Sequence, residues 1–486
     1  MAFHDFIVLD KNNQEAMYIQ IYNEIKKFIE NGSLKPDEKL PAIRSLASKL
    51  SVNNVTIVNA YKLLEKNGLV YSKVGSGTFV KGEKSVEDLN LKHIKDSEEK
   101  ISISKEGTVH ENKSEINFAT LTPDPRYFPV NEFKECINEV LDRDGGYAFA
   151  YQEAKGYYPL RQSLKDYILN RNVEVDTEDI HIISGAQQGI DIVSKAIINL
   201  NDTIVVESPT YTGALAAFRS RGANIIEVPI VKDGMDLNKL EEALKKYSPK
   251  LIYVMTSFQN PTGISYSNEK KEGLLYLAKK YNTHILEDDY LPELKYDEAK
   301  IYPVKSIDDS DRVIYLKSFS KIFMPGIRLG FLAVPKSLNS NIMSAKHTSD
   351  ISTSSIMQRT FDLYFKKKKW ESYVDKMNKI YKKKYEITIN ALKNIAPFFK
   401  FDDPKGGIHL YINSDIDSLM LSSISKERGA SVVPGRVFYL DSRSDNSFRL
   451  SFAAVNDDKI EEGIKIIADS YKDIKNLNSG NLFPYL

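Results

Sequence analysis

Apolar residues recur along this chain with two different periods. Ile19, Tyr22, Ile25, Phe28 and Ile29 fall at helical spacing, and the helix they predict stops at NGSLKP, where Gly32 and Pro36 break it. LPAIRSLASKL follows, with Pro41 at a helix start and Ile43, Leu46, Ala47 and Leu50 on one face. SVNNVTIVNAYKLLEKNG predicts a third helix from near Asn53 to about Lys66. It is expected to pack through Val55, Val58, Leu63 and Leu64 and to close on Gly68. LVYSKVGSGTFV then reads as two short strands around Gly75, Ser76 and Gly77. These elements fill a first domain, residues 1–81.

From 82 to 114 the pattern lapses. GEKSVEDLNLKHIKDSEEKISISKEGTVHENKSE is polar and charged with no aromatic residue, the composition of a linker. Beyond it, residues 115–486 alternate short apolar runs with helical patterns, as an α/β sheet does. Seven runs are strand candidates: DIHII (179–183), TIVVE (203–207), NIIEVPI (224–230), LIYVM (251–255), THILE (283–287), RVIYL (312–316) and LGFLAV (329–334). Being mostly β-branched or apolar, they predict a sheet buried on both faces and mostly parallel. Residues 336–400 are lysine-rich and helical. GGIHLYIN, SVVPGRVFYL and SFRLSFA then suggest a smaller C-terminal α+β subdomain.

Composition narrows the function. With 67 Lys and Arg against 66 Asp and Glu in 486 residues, the net charge is +1, so any nucleic-acid surface must be local. Cys136 is the one cysteine, which excludes an internal disulfide and fits a reducing compartment. MAFHDFIVLDKNN has no signal-peptide pattern and no apolar run approaches a membrane span, so a cytoplasmic location is expected. The lysine runs at 366–369 and 382–384 read as solvated helix faces.

The candidate chemistry sits where five of the strands end. SGAQQG follows the first, SPTY the second, SFQNPTG the fourth, EDDY the fifth and SFSK the sixth. Open α/β sheets bind ligands in the crevice beyond such ends. The set suits pyridoxal 5'-phosphate (PLP), which needs a lysine for its Schiff base and a carboxylate to keep its pyridine nitrogen protonated. It also needs donors for the phosphate, best supplied at a helix N-terminus. Lys321 and Asp288 meet the first two needs, and the helix start at Ala186 and Gln187 the third. Tyr211 can cover the ring, and Asn260 and Tyr290 can reach its hydroxyl. Ser318, Ser320 and Arg328 can add phosphate contacts. No metal is called for.

NPTG, EDDY, SFSK…PGIRLG and FRLSF, in that order, make residues 115–486 resemble the fold-type I, class I aminotransferases. The seven-residue step from Lys321 to Arg328 is similar to that of the kynurenine- and aminoadipate-type enzymes, one shorter than in the aspartate aminotransferase branch. The order helix, helix, turn, helix, wing resembles the GntR winged helix-turn-helix family, so the whole chain looks like a MocR-type regulator. The resemblance implies that Tyr151 reaches the partner subunit's phosphate in a head-to-tail homodimer and that Arg449 grips an α-carboxylate. It further implies that Arg44, Asn53, Asn54, Thr56, Lys73 and Ser76 approach DNA. GntR members usually have arginine where Asn54 stands, and asparagine reads adenine rather than guanine. His409 is read as packing.

Two functions remain open. One is a regulator that binds promoter DNA and senses PLP or a PLP–amine adduct, with PLP synthesis a candidate for its control. The other is a working aminotransferase with an accessory head. The linker and head favour the first, being useless to catalysis. So does NFATLTPDPRYFP, which has Thr120 and Thr122 but not the glycine that many such enzymes carry in this early segment. The effector, the operator and the sign of regulation are not legible.

Overall fold

The computed structural model describes residues 9, 16–30, 33–35, 37–67, 69–73, 77–80, 116–297, 300–441 and 443–478. The expected linker at 82–114 lies outside them, as does Ser76. The chain divides into two compact units, residues 1–96 and 97–486.

In the first unit, α1 (Met17–Glu30), α2 (Ile43–Lys49) and α3 (Asn54–Lys66) precede a hairpin of β1 (Val70–Lys73) and β2 (Gly77–Val80). The strands pair antiparallel, with Val70 opposite Val80 and Lys73 opposite Gly77. Ile21 and Ile25 of α1, Leu46 and Ala47 of α2, Ile57, Ala60, Tyr61 and Leu64 of α3, and Val70 and Val80 close one core. Tyr61 donates its hydroxyl to Pro41 O at 2.8 Å, so this buried phenol is satisfied and ties α3 to the entry of α2. The core face of α3 differs from the expected one. Ile57, Ala60, Tyr61 and Leu64 have the i, i+3, i+4, i+7 spacing, whereas Val55 is 59% exposed. Val55, Val58 and Leu63 fall off that stripe, while Leu64, also expected in the core, lies on it.

The second unit is built on an eight-stranded mixed sheet. Its strands are β4 (Ile180–Ile183), β5 (Thr203–Ser208), β6 (Asn224–Val231), β7 (Gly234–Met235), β8 (Leu251–Val254), β9 (His284–Asp288), β10 (Val313–Ser318) and β11 (Gly330–Ala333). The short strand Ile116–Asn117 (β3) precedes them. The order across the sheet is β4-β11-β10-β9-β8-β5-β6-β7. All seven expected runs are strands. β7, two residues long, adds an eighth at the edge, too short to show a period. The run from β10 through β9, β8 and β5 to β6 is parallel, and β11 is antiparallel to both neighbours. Strands β4, β8 and β10 are buried along their whole length, which is why alternation is absent from their sequences. Crossover helices such as Ala186–Ile197, Thr212–Ser220 and Asn268–Lys280 link successive strands.

The smaller subdomain is a four-stranded antiparallel sheet. β12 (Lys400–Phe401), β13 (His409–Asn413), β15 (Val433–Pro434) and β16 (Ser447–Ser451) lie in the order β12-β13-β16-β15. β14 (Ala430–Ser431) pairs instead with β3. Helix Lys369–Ile395 carries the second lysine run. Its Lys384 is not solvated: the side chain is fully buried, 3.0 Å from Asp457 and donating to Val455 O. Successive helical residues point about 100° apart, so Lys384 faces inward while Lys382 and Lys383 stay exposed.

Candidate functional site

Ala186, Gln187, Tyr211, Asn260, Asp288, Tyr290, Ser318, Ser320, Lys321, Arg328 and Arg449 line one cavity of about 160 Å³. They arrive from five strand ends, from the turn before β11 and from the middle of β16. The parallel strands finish at one edge, so the loops after β4, β5, β8, β9 and β10 converge there, and β16 delivers Arg449 from the smaller sheet.

Strand pleating sorts the carboxylates of EDDY. Asp288 sits opposite Leu316 in the β9–β10 ladder, and Tyr253 of β8 sits opposite Leu286. Tyr253 and Asp288 therefore share a face, and Tyr253 Oη donates to Asp288 Oδ2 at 2.9 Å. Asp288 Oδ1 is buried without a partner. Burial pushes the Asp288 carboxyl up to about 7, against the hydrogen bond from Tyr253. Asp289 points to the other face, where Arg171 and Tyr315 each donate to its Oδ2 at 2.8 Å. Glu287, also averted from the cavity, accepts from Val304 N at 2.7 Å and from Thr256.

One end of the cavity is a helix N-terminus. Gly185 precedes helix Ala186–Ile197 at φ +116°, and a Cβ there would lie 3.1 Å from an Arg328 Nη. Glycine thus permits both the turn and the approach of the guanidinium to the first helical N–H groups. Arg328 itself is at φ 52°. Tyr211 begins helix Thr212–Ser220, its hydroxyl 3.4 Å from Gln187 Oε1.

At the opposite wall, Arg449 donates to Asn260 Oδ1 at 2.8 Å and to Ala119 O at 2.9 Å, and its guanidinium lies 5.1 Å from the Phe438 ring centroid. Only 1% of Arg449 is exposed. With Asn260 Oδ1 engaged, the amide NH2 is the end of Asn260 able to donate. Tyr290 Oη donates to Phe258 O at 3.0 Å. His409 is buried beneath this wall, its ring 3.3 Å from Gln259 O and pushed down to about 3 by burial, as packing requires.

The unpartnered, buried Asp288 Oδ1 is the feature that tests PLP against these residues. A protonated pyridine nitrogen supplies the donor it lacks, and the group fits. Tyr151 is not in the cavity of its own chain; it is 81% exposed, beside Tyr147 and Phe149 at 79% and 68%. Sequence reasoning missed Ala119, Leu121 and Met255, which line the cavity, and Tyr253 behind Asp288. The register of β8 against β9 finds Tyr253, and no local motif announces it.

On the first unit, Arg44 of α2 and Asn53 and Asn54 at the start of α3 are exposed, and Thr56 is half-buried. Asn53 caps α3, its side chain accepting from Val55 N at 3.2 Å. Lys73 ends β1, its side chain outside the described residues.

Residues 122–467 match the family described as aminotransferase class I and II, and residues 17–80 match the bacterial regulatory proteins of the gntR family. The chain is 32% identical to an aromatic-amino-acid aminotransferase of Thermococcus litoralis, over 75% of this chain and 89% of that one. It is 29% identical to YcxD, an HTH-type transcriptional regulator of Bacillus subtilis, over 93% of this chain and 98% of the relative. Among solved structures, the Pyrococcus horikoshii kynurenine aminotransferase in complex with PMP superimposes with a TM-score of 0.72. It is 32% identical, covering 75% of this chain and 92% of that one. The chain belongs to the class I and II aminotransferase family, which is PLP-dependent. Its GntR head makes the architecture that of a MocR-type regulator, the arrangement that YcxD shares along nearly its whole length.

Proposed function

We propose that this chain is a PLP-dependent transcriptional regulator that binds promoter DNA through residues 1–81 and senses PLP, or PLP joined to an amine, in residues 115–486. Residues 82–114 connect the two. The observation that carries the reading is the joint presence, in one chain, of a helix-turn-helix with Arg44 and Asn54 exposed and a cavity whose buried Asp288 Oδ1 lacks a donor.

PLP supplies an aldehyde that condenses with amines and a ring that withdraws electrons. Lys321 would hold that aldehyde and Asp288 the ring nitrogen, while Ala186, Gln187, Ser318, Ser320 and Arg328 hold the phosphate. Tyr211 would cover the ring, and Asn260 and Tyr290 would approach its hydroxyl, Tyr290 by giving up Phe258 O. Arg449 would receive an effector carboxylate. The exposed aromatics at 147–151 fit a homodimer in which Tyr151 completes the partner's phosphate site, since such a patch needs covering.

The second reading, an active aminotransferase, is favoured by Lys321 and Arg449 facing one cavity. A promoter-reporter assay tests the first. If PLP is the effector, Lys321→Ala abolishes the response and Arg449→Ala preserves it; if an amino acid is, both lose it. Unchanged regulation in both variants, with DNA binding intact, overturns the sensor reading. Conversion of bound PLP to its amine form by an amino acid, without effect on the reporter, supports the enzyme.

A further inference from the structure

Behind the cavity, on the averted face of the sheet, lies a layer of buried charge that the cofactor roles leave unused. Lys317 of β10 is fully buried, and its Nζ is 2.8 Å from Glu293 Oε2. Tyr167 donates to the other oxygen of Glu293. Arg171 and Tyr315 hold Asp289 as described, and the Asp289 side chain is fully buried. Two cations and two carboxylates thus form a neutral group around segment 288–293. Lys317 Nζ also lies 3.4 Å from Tyr290 O and 5.7 Å from the Phe319 ring centroid.

This is an expensive way to fill a sheet interior. A buried ion pair is commonly no more stabilising than the apolar residues that would replace it. Lys317 also stands between Leu316, the ladder partner of Asp288, and Ser318, which lines the cavity. Its charge lies across the sheet from the carboxylate meant for the pyridine nitrogen, and its ammonium braces the backbone between Asp288 and Glu293.

Resting on the PLP reading, we propose that Lys317 and Glu293 are positioning residues that set the electrostatic potential at Asp288 from the far side of the sheet. The charge state of the bound cofactor would then follow their balance. Tyr253 of β8 contacts Asp288 directly, and the charges of Asp289 on its own segment and Lys317 of β10 act on it from the other face. Glu207 of β5 feels its charge, and Lys321, Arg328 and Arg449 lie across the cavity. Of these, Lys317 favours the ionised carboxylate and Asp289 opposes it. Facing Lys317 are Glu293, Asp289 and Arg171.

The test is a pH titration of the visible absorption band of PLP bound to the full chain. Lys317→Met removes a cation and should raise the protonation midpoint of the band by roughly half a pH unit. Glu293→Gln removes an anion and should lower it by a similar amount. The double variant should return close to wild type, and Lys317→Arg should restore it. Opposite signs distinguish a potential from mere packing, since lost packing has no reason to follow the sign of the charge removed. Should Lys317→Met fail to fold because Glu293 is left unpaired, Glu293→Gln and the double variant still decide. Shifts of the same sign, or none, in folded proteins overturn the proposal while leaving PLP binding intact. A wild type that never takes up PLP overturns the PLP reading and this proposal with it.

Discussion

Tyr253 and Asp288, on neighbouring parallel strands, share a 2.9 Å hydrogen bond that occupies one oxygen of the carboxylate and leaves the other without a partner. Hydrogen bonds to charged groups contribute about 1.5–3 kcal/mol. Asp288→Ala should therefore weaken PLP binding at least about tenfold. Tyr253→Phe should weaken it less, because the phenol supports the carboxylate without touching the ring. Equilibrium titration of the apo protein with PLP measures both. Equal losses would show that Tyr253 matters as much as the carboxylate it supports.

Lys321 should carry the covalent link. Borohydride reduction followed by peptide mass analysis should fix the cofactor on the peptide containing SFSK in wild type. In Lys321→Ala no peptide should be labelled, although phosphate contacts can still hold PLP noncovalently. Label on another lysine would refute the assignment.

DNA binding should depend on the head and on salt. Each neutralised phosphate releases counterions, so log affinity falls linearly with log salt, and Arg44→Ala should make that slope shallower. The two asparagines should separate. Asn53→Ala removes a helix cap and should cost the head about 1 kcal/mol of stability. Asn54→Ala should relax preference at one base pair by about 1–3 kcal/mol. Electrophoretic shifts on operator variants, alongside thermal melts of the same proteins, discriminate cap from contact.

Glu207 gives a signed pH dependence. It is buried while accepting from Tyr266 Oη at 2.7 Å, Gln259 Nε2 at 3.1 Å and Met255 N at 3.2 Å. Burial pushes it from 4.5 up to about 8. A carboxyl that holds its proton more tightly in the folded chain contributes fully below its unfolded value and loses that contribution as pH rises through the folded one. Stability in denaturant should fall between about pH 5 and 8 on this account, and Glu207→Gln should flatten the fall. A wild-type profile already flat across that window would contradict the assignment.

Much of the site was legible because strand-end motifs are local. EDDY places Asp288 on the last residue of β9, SFSK places Lys321 in the loop after β10 and NPTG places Asn260 in the loop after β8, and a parallel sheet brings all such loops to one edge. The apolar runs foretold seven strands for the same reason. What failed were choices between adjacent residues on one element. Val55 looked like core by its neighbours, yet it falls off the buried stripe of α3. Lys384 looked solvated, yet it is the buried member of its run and donates to Val455 O.

Residue types and their order were enough to establish two units of different architecture, a DNA-binding head and a PLP-type cavity, since those rest on periodicity and on motifs that act over a few residues. Folding in three dimensions assigned each side chain to a face. The pleat sends Asp288 into the cavity and Asp289 away from it, and the register of β8, β9 and β10 brings Tyr253 and Lys317 to either side of the same carboxylate. Those pairings depend on how separate strands align, and hydrogen bonds such as Tyr253–Asp288 and Lys317–Glu293, between segments far apart in the chain, have no signature in any one of them.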